Sequence, residues 1–114
     1  MTKGINSRQK GCRGEREWRD VIRANGFDAR RGQQFSGSPD SPDVISSLPF
    51  HMEVKRVERL NIENSMKQAE QDCGSKMPLV AHKKNRGNWL VTMPEWVFFK
   101  LIAMEKIKAE NEKD

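Results

Sequence analysis

The chain has 114 residues, 35% of them hydrophobic, and 21 Lys and Arg against 16 acids give it a net charge of +5. That length suits one domain around one modest core. No apolar run approaches the roughly 20 residues that cross a bilayer, and no apolar signal region follows Lys3, so a cytoplasmic protein without a membrane is expected. Cys12 and Cys73 form no close pair and are expected to stay reduced.

Residues 1–6 read as a flexible tail and Ser7 as the cap of a helix from Arg8 to Ala24 or Asn25. Trp18, Val21 and Ile22 mark its buried stripe, and Gly11 and Gly14 fall near that stripe, allowing close approach to a sheet. Gly26 stops the helix. Phe27 to Arg31 reads as a first strand, and the stretch from Gly32 to Pro42, rich in Gly, Ser and Pro, as a loop. A strand around Asp43-Val44-Ile45 turns through Ser46 to Pro49 into a longer strand, Phe50 to Val57, and so short a connection makes the pair antiparallel. Asn61 caps a helix from Ile62 to Cys73, ended by Gly74. Leu79 to His82 and Trp89 to Met93 are two further strands. Pro94 opens a helix from Glu95 to Lys108 or beyond. Its apolar arc is too wide for one surface, which points to a partner subunit. The residues from 109 to 114 read as a charged tail. The crossover from the Glu53 strand through the second helix to Val80 should be right-handed and parallel.

The chemistry lies in the longer strand. Side chains alternate faces along it, so Phe50, Met52 and Val54 point one way and His51, Glu53, Lys55 and Val57 the other. The neighbouring strand can bring the Asp43 carboxylate beside Glu53 and Lys55. Two carboxylates suit a hard divalent cation, and an adjacent ammonium can orient water or offset phosphate charge. Such a set fits metal-assisted phosphodiester hydrolysis. Asp40 is a rival to Asp43, which is favoured because Val44-Ile45 follows it directly. On the first helix both Glu15 and Glu17 border the buried stripe, and helical projection alone does not choose between them.

Four stretches together resemble the PD-(D/E)XK nucleases, and within them the archaeal and phage Holliday-junction resolvases: Lys10-Gly11-Cys12-Arg13-Gly14-Glu15-Arg16, Gly26-Phe27 with Arg30-Arg31, Gly37-Ser38 leading into Pro42-Asp43, and Glu53-Val54-Lys55. The resemblance covers residues 10–55 by motif and reaches about residue 93 by element order. It implies a single α/β domain over residues 7–108: a restriction-endonuclease-like αβββαβ core with a mixed sheet flanked by helices, plus an extra strand and a carboxy-terminal helix. It further implies a Mg²⁺-dependent endodeoxyribonuclease, Mn²⁺ being able to substitute, with Asp43, Glu53, Glu15 and the Val54 carbonyl as metal ligands. Lys55 would position the attacking water. Gln68, or else Gln71, would match a glutamine common in the superfamily, and Ser36 or Ser38 a serine of the resolvases, although the loop spacing here departs from theirs. The implied substrate is branched DNA, cut by a twofold dimer of phage type in a host cytoplasm.

Two basic sets are candidate DNA contacts: Arg8, Lys10, Arg13, Arg30 and Arg31, and Lys83, Lys84 and Arg86. His51 shares the Glu53 face, where a plain strand histidine is the simpler reading. Two other functions fit the same fold: a non-catalytic nucleic-acid-binding module, and a nuclease for plain duplex, single-stranded or flap DNA.

Overall fold

The structure, a computed structural model, describes residues 3–32 and 43–112, with the side chains of the first helix described from Cys12 onward. Its elements run α1 (Lys3–Ala24), β1 (Ala29–Arg31), β2 (Val44–Ser46), β3 (Phe50–Arg56), α2 (Ile62–Asp72), β4 (Met77–Lys83), β5 (Leu90–Thr92) and α3 (Glu95–Glu112). Five strands form one sheet in the order β1-β2-β3-β4-β5. Only β3 and β4 are parallel, from Phe50↔Met77 to Arg56↔Lys83; the other pairs are antiparallel. The mixed sheet and its α2 crossover are those expected from the element order.

Local chemistry explains most boundaries. Asn61 caps α2, its side-chain oxygen accepting from the Asn64 N–H at 3.1 Å. Gly26 and Gly74 adopt φ of +91° and +58°, the left-handed turn that lets each chain leave its helix. After α1 the Phe27 N–H reaches the Ile22 carbonyl at 3.3 Å and the Gly26 N–H the Arg23 carbonyl at 3.0 Å. This paired closure is a Schellman motif. It uses Phe27 as part of the helix stop, so β1 begins only at Ala29, two residues later than the apolar pattern indicates.

Ser7 is not a cap. α1 already runs from Lys3, so residues 3–6 are helical. Nothing in Gly4-Ile5-Asn6 forbids a helix, and extending one already nucleated needs little more than one hydrogen bond per residue. Residues 109–112 are also helical, in α3 rather than a tail. Ala, Glu and Lys are strong helix formers and carry the helix to Glu112.

One sheet face packs on α1. Trp18 and Ile22 join Ala29, Val44, Met52, Val54, Leu79 and Ala81 in a buried cluster, with Trp89 tilted against Trp18 at 5.1 Å between ring centres. Gly14 makes this contact possible: a Cβ there would lie 2.9 Å from the Arg56 Cβ. The opposite face carries α2, which buries Ser65 and Ala69. α3 buries Val97 and leaves Trp96, Phe98, Phe99, Ile102, Met104 and Ile107 exposed.

Candidate active site

β2 and β3 pair at a single residue couple, Val44↔Met52. Past that couple the Val54 N–H is taken by a side chain: it donates to Asp43 Oδ2 at 2.8 Å. The Gly32 N–H donates to the Asp43 carbonyl at 3.0 Å, so the backbone of this residue is held from the β1 side as well. In an extended strand the N–H and C=O of one residue face the same neighbour. The Val54 carbonyl therefore also faces the Asp43 side.

Alternation along β3 places Glu53 and Lys55 on the face opposite Met52 and Val54. Glu53 is buried, and its Oε1 lies 3.0 Å from His51 Nε2. Burial pushes the Asp43 carboxyl up to about 7, and the nearby Glu53 charge pushes in the same direction. Glu15 adds to this, while the Val54 N–H and the Lys55 ammonium act against it. Asp43 thus senses Glu53, Glu15 and Lys55 together. These carboxylates repel one another, and a hard cation accepting oxygen ligands would relieve that repulsion, so the donor set fits Mg²⁺.

Glu15 and Glu17, alike on a helical projection, differ in the structure. Glu15 is held by Arg31, whose guanidinium lies 3.0 Å from its Oε2 and 3.2 Å from Cys12 Sγ. Glu17 is engaged by the ends of β3 and β4 instead, accepting from Arg56 at 3.1 Å and Arg13 at 3.0 Å, with Lys83 at 3.9 Å. Among the proposed DNA contacts, Arg13, Arg31 and Lys83 therefore carry acidic partners, whereas Arg30, Lys84 and Arg86 are exposed. The Arg8 and Lys10 side chains, and Ser36, Ser38 and Asp40 entirely, lie outside the described residues.

On α2, Ser65, Ala69 and Asp72 follow one another at i, i+4 and i+7, the line that faces the sheet. Gln68 flanks that line and is exposed; Gln71 is farther round. Asp72 was absent from the sequence-based set. It brings its carboxylate to His51 and Glu53, the three side chains offering ligand atoms within 4.8 Å of one another. Its spacing from Ala69 and Ser65, and its place in a last helical turn without a basic residue, were the available signals.

No protein-family model matches the sequence, and no curated protein is significantly similar to it. A solved structure is: the Archaeoglobus fulgidus Hjc protein, described as a Holliday junction resolvase from an archaeal hyperthermophile. It is 24% identical, with a TM-score of 0.53, over 71% of this chain and 73% of that one. The chain shares the resolvase fold. The restriction-endonuclease-like core expected from the resemblance is therefore present, with Asp43 immediately before β2 and Glu53 and Lys55 on β3. Among the described residues no helix is long and apolar enough to cross a membrane.

Proposed function

We propose that this protein is a metal-dependent endonuclease that hydrolyses DNA phosphodiesters, with four-way junctions as its substrate. The observation that carries this reading is the Asp43 carboxylate bound to the Val54 N–H, with Glu53 and Lys55 adjacent, on a fold shared with a resolvase. Asp43, Glu53 and the Val54 carbonyl would hold Mg²⁺ or Mn²⁺, with Glu15 beside them. Bound there, the ion supplies Lewis-acid polarisation of the phosphate and lowers the pKa of a water.

The remaining work falls to the chain's own residues. Lys55 places a cation where charge builds on the phosphate and can donate to the attacking water. Arg31 fixes the Glu15 carboxylate, so the first helix presents it in one orientation. Exposed Arg30, Lys84 and Arg86 supply phosphate contacts that position the duplex arms without reading sequence. Symmetric nicking of a junction needs two sites, and the exposed apolar residues of α3 would provide the contact of a twofold dimer.

Labelled four-way junctions and linear duplex, incubated with Mg²⁺ or Mn²⁺, test the reading. Cleavage of the junction is expected, lost in Asp43→Asn and Glu53→Gln and reduced at least 100-fold in Lys55→Ala. Failure to cut any DNA, or full activity in the carboxylate variants, would refute it. Junction binding without cleavage in every metal would identify a binding module instead.

A further inference from the structure

The Glu53 face holds more ligand atoms than the Asp43 site uses. His51 and Glu53 are adjacent on one side of β3, with side chains only 4% and 3% exposed. Asp72 arrives from the last turn of α2, and among the described residues no hydrogen bond or ion pair engages its carboxylate. Three features of its position disfavour an isolated negative charge. The carboxyl end of a helix carries the negative end of the macrodipole. No Lys or Arg occupies that last turn. A second, buried carboxylate lies within 4.8 Å. A cation seated among the three groups would answer all of these at once.

The donor set selects the kind of cation. One imidazole nitrogen beside two carboxylates suits a transition-metal ion, the borderline Zn²⁺ or the harder Mn²⁺, whereas Mg²⁺ prefers oxygen ligands and retained water. A carboxylate has two oxygens, and Glu53 Oε1 is the one that faces His51. We propose that His51, Glu53 and Asp72 form a second cation site, selective for a transition-metal ion, that shares Glu53 with the Asp43 site. The sharing rests on the nuclease reading; the second site does not. In that arrangement Glu53 links two ions, and α2 becomes part of the metal centre.

Mn²⁺ titration of the full chain without DNA, followed by electron paramagnetic resonance and calorimetry, tests the site directly. Wild type should bind two ions. Asp72→Asn and His51→Gln should each bind one, the affected site weakening by more than the roughly 10–100-fold that changes outside a first ligand shell produce. Asp43→Asn should also bind one, but the ion it keeps should retain the signature of nitrogen coordination, and His51→Gln should abolish that signature. Asp72→Asn is nearly isosteric and half-exposed, so it decides the matter even where His51→Gln does not fold. Ion binding that Asp72→Asn and His51→Gln both leave unchanged, in number and affinity, overturns the proposal. A Mn²⁺ ion that depends on Asp72 and His51 in a protein that cuts no DNA would sustain the site and reject the nuclease reading.

Discussion

Asp43→Asn should stabilise the metal-free protein, and by an amount that depends on pH. In the folded chain the Asp43 carboxyl is raised from its ordinary 3.8 to about 7, chiefly by burial and then by Glu53. Folding therefore favours the protonated form. Stability from this group is fully present below about pH 4, falls as pH rises, and is lost above about 7. About three pH units at 1.36 kcal/mol each set a ceiling of about 4 kcal/mol. Asparagine never ionises, so the loss disappears. It still offers an oxygen to the Val54 N–H, but a neutral one, at a cost of about 1 kcal/mol. The net gain at pH 8 is then about 3 kcal/mol, or roughly 12 °C in Tm for a domain of this size. Thermal melts of both proteins in EDTA between pH 4.5 and 8 measure it. The difference should widen with pH and level off above 7. Mg²⁺ at 100 times its Kd should return about 2.7 kcal/mol to the wild type and nothing to the variant. A constant difference across this pH range, or a variant that melts lower at pH 8, would refute the electrostatic account of Asp43.

Three further outcomes are expected. Gly14→Ala brings a Cβ to 2.9 Å from the Arg56 Cβ, an atom that cannot swing aside, so chemical denaturation should show a loss of about 1–3 kcal/mol. Replacing Lys84 and Arg86 by alanine should weaken DNA binding for every sequence and lower the slope of log affinity against log salt by about 2, as fluorescence anisotropy would record. Phe99→Glu with Ile102→Glu, at positions 62% and 53% exposed, should leave the fold intact but turn a dimer into a monomer in analytical ultracentrifugation.

Much of the fold is written in local chemistry. The two faces of β3 follow from simple alternation, and Asn61, Gly26 and Gly74 mark helix ends through one side-chain oxygen and two positive φ angles. The parallel β3–β4 pair follows from the helix between them. Other features depend on contacts that no single segment encodes. Helical projection treats Glu15 and Glu17 alike; Arg31 and Arg56, from two different strands, tell them apart. Phe27 has the apolar character of a strand residue, yet its N–H closes a helix. Asp72 lies 19 residues beyond Glu53 and reaches it only because the α2 crossover folds back over β3. The Ser7 cap failed for the opposite reason, a local preference too weak to stop a helix that could continue.

The sheet also constrains how copies of the chain can meet. Its two outer strands, β1 and β5, are three residues long, while the seven-residue strands β3 and β4 lie inside. Short outer strands offer few unpaired N–H and C=O groups to another chain. Growth by strand addition, the route to open-ended fibres, is therefore discouraged at both margins. The exposed apolar residues of α3 are instead the surface on which the proposed dimer would form. If that contact is isologous it closes on itself after two subunits, and assembly would stop at a pair.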